Sequence, residues 1–110
     1  MKYLNLTHRV LRIHHQGGLM ILPMSGATAT VHLDRRQAAT LWTDDGHAIE
    51  MARVVSSCVT GLPEPQPGVY LITSGVVAAI VKRPDVLSPG LRLRDANGND
   101  IGNRGLNCHA

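Results

Sequence analysis

The chain has 110 residues, a net charge of +3 with neutral histidines, and 44% hydrophobic residues. That length fits one domain with a single core, and that composition excludes a disordered chain. With no Phe, one Trp and two Tyr, the chain also lacks the aromatic platform on which single-stranded nucleic acids are stacked and read.

Residues 3–6 (Tyr-Leu-Asn-Leu) alternate apolar and polar, the period of a strand. Val10 to His14 alternates again, and Gln16-Gly17-Gly18 is a turn signal leading to a partner strand over Leu19–Leu22. Pro23-Met24-Ser25-Gly26 breaks the run. From Ala27 to Leu33, Ala27, Ala29, Val31 and Leu33 fall on one face and Thr28, Thr30 and His32 on the other, which predicts a half-buried strand. The next stretch is ambiguous: Asp34 can cap a short helix through Arg35–Ala39, whereas Thr40–Thr43 reads as strand. Asp44-Asp45-Gly46 is a turn, and Ala48 to Thr60 is β-rich.

Residues 61–68 (GLPEPQPG) hold three prolines, so they form an extended surface connection that cannot pair inside a sheet. Val69–Ile72 reads as a short buried strand. Ser74 is an N-cap for a helix over 75–82, with Val76, Val77, Ile80 and Val81 as its apolar stripe, and Pro84 ends it. Ser88-Pro89-Gly90 reads as a turn and Leu91–Arg94 as a strand. The run Asp95-Ala96-Asn97-Gly98-Asn99-Asp100 is the strongest hairpin signal, with its partner strand from Ile101. The expected fold is mainly β (a β-rich α+β class): a small single domain over 1–110, of short antiparallel strands with one or two short helices. No βα alternation points to a doubly wound parallel sheet.

Chemical motifs are scarce. Six histidines suggest a metal site, but no Cys pair or His pair has ligand spacing. The acidic run 95–100 lacks the Gly and Glu positions of a calcium loop. Cys58, flanked by Ser57 and Val59 in a strand, reads as a small buried core residue rather than a nucleophile. No phosphate-binding glycine loop or serine-nucleophile elbow occurs. The expectation is therefore no catalytic residue, no metal, no cofactor and no enzyme activity.

The eleven Lys and Arg are scattered, with no run longer than Arg35-Arg36 or Lys82-Arg83, so nucleic acid is not the expected partner. The start, MKYLNLTHRV, lacks the apolar run of a signal peptide, and no stretch reaches the roughly eighteen apolar residues of a membrane span. A cytoplasmic location with no membrane contact and reduced Cys58 and Cys108 is expected.

What remains is a set of polar residues in predicted turns. Asn5, Thr7 and His8 follow the first strand. Thr73 and Ser74 begin the helix, Arg83, Asp85 and Ser88 follow it, and Arg94 and Arg104 flank the last hairpin. Hydroxyls, amides and guanidinium groups of this mixture suit a phosphate- or ribose-bearing ligand.

The segments N5-L-T-H8, G61-L-P with G68-V-Y-L-I-T-S74, R83-P-D-V-L-S-P-G90 and R94-D-A-N-G-N-D-I-G-N-R-G-L106 together resemble a family of small bacteriophage and bacterial proteins. The resemblance covers the first strand and most of residues 61–106, and is loose over 14–58. The chain departs from the pattern at His8, which follows Thr7 without an intervening proline, and at Asn103, where a cysteine is common. The resemblance carries no activity with it. A phage setting favours binding over catalysis: sequestration of a nucleotide-derived ligand, such as an antiviral-defence signal in the host cytoplasm, by a homo-oligomer. The alternative is a protein-interaction module that inhibits a host protein or serves as a phage accessory part.

Overall fold

The alternating segments fold as strands, and a computed structural model describes all residues 1–110. Eight strands form in chain order: β1 (Lys2–Asn5), β2 (Leu11–His15), β3 (Gly18–Leu22), β4 (Thr30–Trp42), β5 (Ala48–Thr60), β6 (Val69–Ile72), β7 (Val86–Arg94) and β8 (Asp100–Cys108). One helix, α1 (Gly75–Val81), lies between β6 and β7. The fold is thus a small β-rich domain with a single short helix.

Six strands make one sheet in the order β1-β6-β7-β8-β2-β3. β2–β3 and β7–β8 pair antiparallel, whereas β1–β6, β6–β7 and β8–β2 pair parallel. The β6–α1–β7 segment is a crossover between parallel neighbours, a local βαβ unit that strand periodicity alone did not reveal. It explains why Val69–Ile72 reads as a continuous apolar run. Val69 and Leu71 pack into a cluster with Leu6, Ala29, Val77, Ala78 and Val86, while Tyr70 and Ile72 pack on the other side with Leu11, Ile13 and Leu22. A strand covered on both faces has no polar side to show. Tyr3 and Tyr70, in register across β1–β6, stack with ring centroids 5.7 Å apart.

Ser74 caps α1, its hydroxyl accepting from the Val77 N–H at 3.3 Å, and Lys82 closes it in the left-handed region (φ 49°). The face toward the sheet is Val77, Ala78 and Val81, not the expected stripe: Val76 and Ile80 are exposed. The reason is the crossover, which presents the helix to β7 along the Val77–Val81 line.

Three further expectations are corrected. Residues 35–39 form no helix; they continue β4, paired across to β5 from Thr30↔Thr60 to Trp42↔Ala48. Pairing with Ala52–Val54 outweighs the helix preference of isolated Arg, Gln and Ala. Ser88-Pro89-Gly90 is no turn but the middle of β7, with Ser88↔Asn107 and Pro89↔Leu106 in register. Gly90 is required there, because a Cβ would lie 2.0 Å from the Arg104 carbonyl oxygen. Cys58 is exposed, as is Cys108, and both are free.

Cys58 is exposed because β4 and β5 stand apart from the sheet. Each has 13 residues, about 43 Å at the rise of a strand, and together they form a separate two-stranded ribbon. The strand expected over 27–33 begins at Thr30, with Ala29 buried beneath its root and Leu33 already exposed. The ribbon leaves the body at that point as an arm, and the molecule measures 55 × 41 × 25 Å.

Candidate functional site

The loop between β1 and β2 is built around Asn5, which is buried. Its Nδ2 donates to the carbonyls of Arg9 (2.8 Å) and Leu22 (3.0 Å). Its Oδ1 accepts from the Thr7 N–H (2.9 Å) and the Thr7 hydroxyl (2.6 Å). All four hydrogen-bonding positions of the amide face protein groups, so Asn5 shapes the loop and has nothing left to offer a ligand. The result fixes Thr7, His8 and Arg9 at the mouth of an open groove.

That groove has a volume of about 500 Å³. The β1–β2 loop supplies Thr7, His8 and Arg9, the start of α1 supplies Thr73, Ser74 and Gly75, and the sheet supplies Arg92 of β7 and Asn103 of β8. Register brings the last two together: Arg92 pairs with Asn103 across β7–β8, and Asn103 with Ile13 across β8–β2. Asn103 donates through Nδ2 to the Gly90 carbonyl at 2.9 Å, and its Oδ1 accepts from no protein group. No carboxylate lines the cavity. Asp100 stands beside it, 3.6 Å from Arg92 Nε, and the Gly102 N–H holds its carboxyl below the usual range.

Of the residues singled out in the sequence, Thr7, His8, Thr73 and Ser74 meet in this groove, with Asn5 behind it. Thr73 is fully buried, its N–H donating to the Leu87 carbonyl at 2.8 Å, so it shapes the wall without facing solvent. The others do not line the groove. Arg83 clamps Asp85 in a two-pronged ion pair (Nε–Oδ1 3.0 Å, Nη2–Oδ2 2.7 Å) and donates to the Pro63 carbonyl at 3.2 Å. That triad ties the proline-rich connection to the α1–β7 corner; it raises the pKa of Arg83 and lowers that of Asp85 through the shared hydrogen bonds. Ser88 is buried, 3.1 Å from His109 Nε2. Arg94 donates to the Gly98 carbonyl within its own hairpin at 3.1 Å. Arg104 is exposed on the opposite side of β8 from Asn103.

Of the groove's polar side chains, Arg9, Arg92 and Asn103 escaped sequence reading. Arg9 and Asn103 lie at opposite ends of the chain and carry no local signal. One clue existed: Arg92 stands between Leu91 and Leu93 in an alternating strand, so it faces away from both, and the turn residues of the first loop sit at the matching sheet end. No cluster of three metal-ligating side chains occurs, and no helix is long and apolar enough to cross a membrane.

The fold and the groove together define a small β-rich domain with a cationic, hydroxyl-lined cleft and a projecting β-arm. No protein-family model, curated protein or solved structure matches the chain.

Proposed function

We propose that this chain binds a small nucleotide-derived anion in the groove and holds it unaltered, acting by sequestration. The observation that carries the reading is the convergence of Arg9, Arg92 and His8 on a cleft lined by no carboxylate. Guanidinium groups match phosphate oxygens in pairs. The Thr7 and Ser74 hydroxyls and the free Asn103 oxygen offer partners for ribose hydroxyls. A volume of about 500 Å³ suits a ligand of nucleotide size. Binding is favoured over catalysis because the Thr7 hydroxyl is held by Asn5 and the Ser74 oxygen by the Val77 N–H, so neither is paired with His8 as a nucleophile with its base. We propose further that the ligand is an antiviral-defence signal in a bacterial cytoplasm, a reading that rests on the motif resemblance to small bacteriophage proteins alone.

The test is calorimetric titration with cyclic and ADP-ribose-type nucleotides, followed by denaturation and recovery of the ligand. Saturable binding with the nucleotide recovered intact supports sequestration; turnover, or no binding to any of them, contradicts it. A second reading is a module that blocks a host protein. The exposed apolar residues of the β4–β5 arm favour it, and it requires stable co-purification with that protein without a nucleotide.

A further inference from the structure

A two-stranded hairpin alone is marginal in water, yet β4 and β5 extend over 13 residues each with almost every side chain exposed. The arm carries exposed Leu33, Leu41, Trp42, Ile49, Val54 and Val55. Two bulges, at Asp34/Arg35 and Gln37/Ala39, change which residues share a face along it. Beyond the second bulge, Ala39 pairs with Met51 and Leu41 with Ile49, so one face of the outer half is wholly apolar at these positions. The tip is acidic: residues 40–50 hold Asp44, Asp45 and Glu50 and no Lys or Arg.

The body has the matching surface. On the outward side of β7-β8-β2-β3, Leu91, Arg104, His14 and Leu19 lie in one register row, with Arg12 and Ile21 in the next. Leu19, Ile21 and Leu91 are exposed, with Leu91 at 67%. Outside the arm, residues 30–60, the chain has eight basic residues against four acids. This face is opposite the groove, since Leu91 and Arg104 alternate with Arg92 and Asn103.

We infer that the arm docks on a second copy of this chain, its apolar outer face on Leu19, Ile21 and Leu91 and its acidic tip beside Arg12 and Arg104. Apolar surfaces flanked by opposite charges identify each other as partners, and both halves of the contact belong to this one sequence. Reciprocal exchange closes a dimer with two identical contacts. Laying the outer half of each arm, about 20 Å by 10 Å, on its partner removes on the order of 800 Å² in total over the two contacts, the size of a weak, reversible interface. This inference stands apart from the nucleotide reading, because it uses the other side of the sheet.

Sedimentation equilibrium tests it on the full chain. The wild type is expected to self-associate at concentrations up to roughly 500 μM, as weak, reversible interfaces do. Leu41→Asp with Ile49→Asp, both at exposed positions away from the core, is expected to leave the melting cooperative and weaken association by at least about 30-fold. Asp44→Lys with Asp45→Lys, and separately Arg104→Glu, should each weaken it by about tenfold or more. Mixing these two charge-reversed chains should restore a heterodimer, because the basic tips of one then meet the acidified face of the other, and the second contact keeps its original charges. A chain that stays monomeric at that concentration overturns the inference, as does self-association unchanged by the arm variants. So does a mixture that shows no rescue, or a monomer whose arm binds a host protein instead.

Discussion

The Asn5 side chain spans from β1 to the end of β3, its amide 3.0 Å from the Leu22 carbonyl. Through the Arg9 carbonyl and Thr7 it also sets the loop that carries the groove's cations. Asn5→Ala would take the side-chain partner from the Leu22 carbonyl and the Thr7 N–H, while the Arg9 carbonyl keeps the Thr7 hydroxyl, costing about 2 kcal/mol. Urea unfolding should show the loss, with the slope unchanged if the denatured state is unaffected.

Arg83 and Asp85 form a structural clamp on the Pro63 turn. Both are partly exposed, which discounts the pair, so Arg83→Ala should cost only about 1 kcal/mol. The nucleotide dissociation constant should stay within about twofold of the wild type, because Arg83 does not line the groove and the change falls within the scatter of surface substitutions. Thermal melting and titration on the same preparation separate the two effects.

The same clamp gives a pH dependence. The folded pKa of Asp85 lies below its ordinary value because Arg83 donates two hydrogen bonds to it. A lowered carboxylate stabilises the fold at pH above the ordinary Asp range, and that contribution is lost as pH falls through the lowered folded value. Stability should therefore decline below about pH 4, and Asp85→Asn should flatten part of that decline. Urea midpoints measured across acid pH check it.

Gly90 allows β7 and β8 to approach closely. A Cβ there meets the Arg104 carbonyl oxygen at 2.0 Å and the Gly105 oxygen at 2.8 Å, both backbone atoms that cannot swing aside. Gly90→Ala should cost about 3 kcal/mol and shift the Asn103 side chain that donates to the Gly90 carbonyl. Far-ultraviolet melting and amide exchange of β8 would register both.

Elements with local chemistry were legible in the sequence. Asn97-Gly98 marks the β7–β8 hairpin, Gln16-Gly17-Gly18 the β2–β3 hairpin, and Ser74 the start of α1. The arm was not legible, because Asp34-Arg35-Arg36-Gln37-Ala38-Ala39 has no strand preference and is held by pairing with residues 51–56. Cys58 misled for a related reason: a strand of small and branched residues reads as core, and only the arm's separation from the sheet exposes it. Within the groove, the hydroxyl residues were visible as turn residues. The arginines that give it its charge depend on the order β7-β8-β2, which periodicity does not contain.

The most direct measurement is calorimetric binding of the nucleotides by wild type, Arg9→Ala, Arg92→Ala and Arg104→Ala. A nucleotide held in the groove requires the first two substitutions to weaken binding about tenfold or more each, the loss of a charge-assisted hydrogen bond. Arg104→Ala, on the other side of the sheet, should leave it unchanged. Equal affinity in Arg9→Ala and Arg92→Ala, or a loss confined to Arg104→Ala, would contradict a nucleotide site in the groove.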